Sequence, residues 1–142
     1  MLYIETNSFD QQIELIKYFS CDGEYEAIFW FFPESKAREI CDLKLAPKDL
    51  LEGEPVTTYG DSYKPHKTRR VQLTKEFFYK ISDSRKSIEK QCDSVVIYKP
   101  NEKEWLACAI GHENMCLVRD ESLKPELSKF GFKVTSEKSE FW

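Results

Sequence analysis

Three groups of residues in this 142-residue chain have types and spacings that could support chemistry. The first is Cys108-x3-His112-x3-Cys116, two thiols flanking an imidazole. A structural zinc site needs four ligands in tetrahedral array, and this set supplies three. Local geometry argues further against it. If Gly111 and His112 form a two-residue hairpin turn, Ala107 faces Cys116 and Met115 faces Cys108. Opposed residues share a face of the sheet, so the two cysteines point to opposite sides. Only a loop of odd length would bring them together. No metal and no cofactor are expected, and the cysteines read as small buried hydrophobes.

A thiol activated by a histidine would be the catalytic version of the same set. His66 and His112 are the only histidines. No glycine-rich turn before a helix offers an oxyanion hole. His112 is expected to cap or solvate its turn, and no catalytic residue is assigned. A phosphate-binding glycine loop, His-Glu-x-x-His, Gly-x-Ser-x-Gly and a calcium loop are all missing from the sequence. An enzyme with an unrecognised site remains the third functional alternative.

The second group is Lys64-Pro65-His66-Lys67-Thr68-Arg69-Arg70, four bases in seven residues, preceded by Tyr59 and Tyr63. Bases mixed with aromatics suit single-stranded nucleic acid. The formal net charge is −4, which argues against nucleic acid as the main partner. The segment reads first as a solvated loop, with a nucleic-acid or regulatory module as the second alternative.

The third group is acidic. Residues 1–60 hold 12 Asp/Glu against 5 Lys/Arg, a balance of −7, whereas residues 61–142 hold 13 against 16, a balance of +3. An acidic first half would attract a cationic partner. Asp22, Glu24 and Glu26 lead into the aromatic stretch that ends at Phe32. With Glu52, Glu54, Tyr59 and Asp61 they form the expected partner-binding set. Their carboxylates would pair with the Lys and Arg groups that a nuclease uses for phosphate, while aromatic side chains slow dissociation.

Ser8 and Gln11 fit a capping box before a helix carrying Phe9, Ile13, Ile16 and Phe19 inward to about Ser20. Residues 24–32 read as a strand. The run Ala27–Phe32 is apolar throughout, so both of its faces should be covered. Residues 33–68 are ambiguous. A short helix could open at Pro33, Cys41, Leu43 and Leu45 alternate as a strand would, and 46–68 reads as a long loop with a helical turn near Lys48–Leu51. Val71 and Leu73 suggest a short strand. Thr74 caps a helix to about Gln91, with a possible break at Ser82-Asp83-Ser84. Strands at 94–99, 104–110 and 115–119 follow, joined by turns at Pro100-Asn101 and Gly111–Glu113. Asp120 or Ser122 then caps a helix to Phe130, Gly131 stands where a left-handed C-cap is wanted, and Phe132–Thr135 is a last short strand.

Hairpins outnumber crossovers. The expected fold is α+β: one domain over 1–136 with a mainly antiparallel sheet, a C-terminal three-strand meander and about three helices, then a tail at 137–142. No run approaches the roughly 18 apolar residues of a membrane span. The first residues lack a signal-peptide pattern. Five cysteines at 21, 41, 92, 108 and 116 do not form a disulfide framework. Free thiols and a cytoplasmic location follow as expectations.

Small size, acidity, α+β character and the lack of a catalytic motif together resemble the immunity proteins of bacterial polymorphic toxin systems, contact-dependent growth inhibition included. The resemblance is one of general character. It implies a cytosolic protein that binds a basic, nuclease-type toxin domain and occludes it. It carries over no residue roles, because such proteins share no common fold.

Overall fold

A computed structural model describes residues 1–35, 53–56, 64–138 and 140. The strands are β1 (Leu2–Glu5), β2 (Glu26–Phe31), β3 (His66–Lys67), β4 (Val71–Gln72), β5 (Cys92–Tyr98), β6 (Ala107–Ile110), β7 (Met115–Val118) and β8 (Val134–Thr135). The α-helices are α1 (Phe9–Ser20), α2 (Lys75–Asp83), α3 (Arg85–Gln91) and α4 (Lys124–Phe130). All eight strands join one antiparallel sheet in the order β3-β2-β5-β6-β7-β1-β8, with β4 also pairing β2. The fold is the expected α+β class, and β5-β6-β7 is the expected meander.

The sheet has two apolar faces, as the unbroken runs required. On one, Ala27, Phe29, Phe31, Val95, Ile97, Ala109 and Cys116 pack with Ile13, Ile16, Phe19, Phe77, Ile81, Ile88 and Leu127 of the four helices. Burying a side chain such as Phe29 or Phe31 stabilises by about 2–3 kcal/mol. On the other face Ile28, Trp30, Val96, Tyr98, Cys108, Ile110 and Met115 form a second cluster, with Val56, Trp105 and Leu117 packed against it. Gly53 lies directly over Tyr98 and Ile28.

Local chemistry explains the helix boundaries. Thr74 caps α2 by accepting from the Phe77 N–H at 3.1 Å. The stretch 74–91 is two helices, because Ser84 closes α2 and opens α3. At α1 the capping box is incomplete. Ser8 makes no side-chain cap bond, and Gln11 Oε1 accepts from Asn7 N at 2.7 Å. Gly131 (φ +113) ends α4 in a Schellman motif: Phe132 N–H donates to Leu127 O at 3.1 Å and Gly131 N–H to Ser128 O at 3.2 Å. At Pro100-Asn101, Glu102 N–H donates to Lys99 O at 3.2 Å and Asn101 takes φ +62, a type II turn with Pro in its first central place.

Three expectations change and one element is new. The N-terminal residues are a strand, β1, lying between β7 and β8. The return strand begins at Ala107 rather than near Glu104. The region read as loop to 68 contains β3, which pairs Trp30 with Lys67 and Phe31 with His66. The β6–β7 connection has four residues, a 3-10 turn at Gly111–Glu113 followed by left-handed Asn114, so Cys108 faces Leu117 and Cys116 faces Ala109. Four and two are both even. The cysteines therefore still point to opposite faces, as their separate clusters show. The strand and helical turn read at 41–51 lie outside the described residues. Among the described residues no helix is long and apolar enough to cross a membrane.

Candidate functional site

The expected acidic set separates into three parts. Asp22 and Glu24, in the turn after α1, are exposed. Glu26 is not available to a partner, which corrects the expectation for it. It is 2% exposed and pairs at 3.4 Å with Arg70, itself 1% exposed. The physical reason is strand alternation. Glu26 shares the second face with Ile28 and Trp30, and on that face a carboxylate needs a buried cation. Glu54 is exposed but belongs to the segment over that same face, close enough to Tyr98 to act on its hydroxyl. No described contact joins it to Asp22 or Glu24. Glu52, Tyr59 and Asp61 lie outside the described residues.

Asp22 and Glu24 instead meet carboxylates from the far end of the chain. Tyr25 packs edge-on against Phe19 with ring centroids 5.0 Å apart, which holds its ring at the foot of the turn. Its hydroxyl is pushed up first by burial and then by the carboxylates of Glu24, Asp22, Asp120 and Glu126. One half-buried tyrosine thus senses four acids, two from each half of the sequence. Next to it, Tyr18 donates its hydroxyl to Glu126 Oε2 at 2.7 Å and meets the Phe130 ring edge-on at 5.5 Å. Burial and the Glu126 carboxylate push the Tyr18 hydroxyl well up. Phe130 is 39% exposed, and among the described residues it joins Met1 and Tyr79 as an exposed large apolar side chain.

Asp120 is held in place by its own turn. It accepts from Ser122 N at 3.0 Å and Ser122 Oγ at 2.6 Å, and these bonds, followed by Lys99 at 4.0 Å, keep its carboxyl low. Neighbouring Glu121 pairs with the Met1 ammonium at 3.4 Å. The result is a patch in which Asp22, Glu24, Asp120 and Glu126 lie near Tyr18, Tyr25 and Phe130, with Glu126 and Asp120 held by hydrogen bonds and Asp120 also paired with Lys99. Tyr18 and Glu126 are 108 positions apart. No sequence signal joins them, because the topology that does so runs through β1, a four-residue strand too short to show a pattern of its own.

The other two groups change in character. In the basic segment Arg70 is buried, donating to Glu102 O at 2.6 Å and lying 3.8 Å from the Tyr98 ring centre, while the His66 ring faces Pro33 O at 3.1 Å. Lys64, Lys67 and Arg69 remain exposed. Tyr59 and Tyr63 lie outside the described residues, so the aromatic half of that group is not placed.

His112 does more than solvate a turn. Its Nδ1 is 3.2 Å from Asp93 Oδ1 and its Nε2 is 3.2 Å from Glu113 Oε1. Asp93 is the extra residue of a β-bulge, since Trp30 pairs Ser94 and Phe31 pairs Cys92. Both ring nitrogens thus face carboxylates rather than a hydroxyl or thiol. The buried thiols are pushed the wrong way for a nucleophile: desolvation raises Cys108 to about 12 and raises Cys92 and Cys116 strongly. Among the described residues no group of three or more His, Cys, Asp or Glu could hold a metal ion.

No known protein family, curated protein or solved structure matches this chain.

Proposed function

We propose that this protein is a cytoplasmic, immunity-type inhibitor that binds a basic, nuclease-type toxin domain and occludes it, and that it has no catalytic activity of its own. The observation that carries the reading is the gathering of Asp22, Glu24, Asp120 and Glu126 around Tyr18, Tyr25 and the exposed Phe130. Carboxylates draw in a cationic partner and set its register, and the rings supply the apolar contact that slows its release. Two of these carboxylates are already oriented by intramolecular hydrogen bonds, so less freedom is lost on binding.

The test begins with capture of the partner from the source cell. The triple variant Asp22→Lys, Glu24→Lys, Glu126→Lys is then compared with the wild type in association kinetics. At low salt association should slow by roughly 10-fold or more. The difference should shrink toward 1 M salt, where the screening length is about 3 Å. A triple variant that associates at the wild-type rate at low salt removes this surface from the interface.

A further inference from the structure

Beside the proposed surface runs a groove of about 410 Å³ between the β1–α1 corner and the α4–β8 turn. Phe130 and Phe132 form one wall, their rings stacked at 5.6 Å and 14°. Glu5 and Glu14 lie along it, with Lys133 the one cation among its described lining residues. Glu14 is shared with Lys17 at 4.0 Å, and Glu5 makes no ion pair among the described residues. The groove meets the acidic surface at Phe130, whose ring touches Tyr18.

We infer that this groove is an arginine-selective anchor for an extended segment of the same basic partner. This rests on the proposed function and specifies which cation the partner inserts. A lysine ammonium is a compact, strongly hydrated charge that gains little from an aromatic wall. A guanidinium is planar and weakly hydrated, lies flat on a ring, and still directs N–H groups sideways at carboxylates. The groove offers both features together: a stacked aromatic wall and carboxylates beside it. Its volume falls within the usual range for a binding cleft, about 300–1,000 Å³. An acidic surface without the wall would serve lysine and arginine alike.

The experiment uses the full chain and two blocked peptides that alternate glycine with arginine or with lysine. Binding is followed at low ionic strength by titration calorimetry and by the backbone amide shifts of Gly131 and Phe132. The arginine peptide should bind roughly 3-fold more tightly or better. It should shift Gly131 and Phe132, and Phe130→Leu, which keeps apolar bulk without the ring, should abolish the preference. Glu5→Gln with Glu14→Gln should weaken both peptides. Equal affinity for the two peptides, or a preference that survives Phe130→Leu, overturns the arginine anchor and leaves the acidic surface standing. Failure of both peptides to bind overturns the anchor, and the association kinetics of the triple variant then decide the acidic surface by themselves.

Discussion

Removing the charge of Glu26 should destabilise the protein severely while leaving its surface unchanged. Glu26 and Arg70 are 2% and 1% exposed and approach to 3.4 Å. The guanidinium also donates to Glu102 O at 2.6 Å and lies over the Tyr98 ring, and Glu26 Oε1 is 3.4 Å from the Asn101 N–H. The pair therefore ties β2 to the turn that joins β5 to β6. Glu26→Gln keeps the side chain's size and leaves the guanidinium buried without its counter-charge, which costs about 3–4 kcal/mol. For a domain of this length each kcal/mol is worth roughly 3–4 °C, so the melting temperature should fall by about 10–15 °C.

Arg70→Met should also be costly, because it removes the buried guanidinium that faces the Glu26 carboxylate. The double variant Glu26→Gln, Arg70→Met should cost clearly less than the sum of the two, since no buried charge is left uncompensated. Urea denaturation followed by circular dichroism measures all three. Asp22→Lys and Glu24→Lys, at exposed positions of the same segment, are the control and should stay within about 0.5 kcal/mol of wild type. Strictly additive single costs, or a loss below about 1 kcal/mol for Glu26→Gln, would show that the two residues do not act as a buried pair.

Four further outcomes follow from burial and backbone geometry. In a Cys41→Ser background, Cys21 should react with a thiol reagent in the native protein, whereas Cys92, Cys108 and Cys116 should react only on unfolding, because the first is exposed and the others are buried. The same burial raises the Cys108 thiol from 9.0 to about 12, so the stability it contributes is intact below pH 9 and lost as pH rises from 9 to about 12. The urea midpoint should therefore fall over that range, and Cys108→Ala should flatten the slope. Gly53→Ala should destabilise by about 1–3 kcal/mol, since the added methyl would lie 2.8 Å from Ile28 Cδ1 and closer still to the buried Tyr98 hydroxyl. Gly131→Ala has open space around it but a φ of +113°, so it should cost about 1 kcal/mol from backbone strain alone, read as a lower melting temperature.

Elements with strong local signals were readable from the chain. Thr74 before Lys75 caps through its hydroxyl, while Pro100-Asn101 between two apolar runs and Gly131 after Phe130 take backbone states that few other residues would, and each stands where the sequence placed it. Elements defined by pairing were not. β1 has four residues and β3 two, too short for periodicity to show, and they are strands because β7, β8 and β2 offer partners. Glu26 was misjudged for a related reason. Its charge suggests solvent, but its position in β2 is fixed by Ile28 and Trp30, which share its face, and Arg70, 44 residues away, makes burial tolerable. Asp93 and His112 show the same limit, since a bulge is visible only once two strands are in register.

The halves of the sequence do not correspond to separate surfaces. The second half is net positive, yet it supplies Asp120 and Glu126 to the same patch as Asp22 and Glu24. What gathers them is β1, paired to β7 on one side and β8 on the other, which places the start of the chain between the two strands that flank α4. The helix that follows β1 then sets Tyr18 against Glu126 and Phe130. An approaching partner responds to the charges within about 8–10 Å of its path rather than to the net charge of the molecule. A strand of four residues thus brings carboxylates from both halves of the chain to one patch. Weakening β1, for instance by Ile4→Ala, should loosen that patch before it unfolds the meander, because the meander's own ladder does not pass through β1.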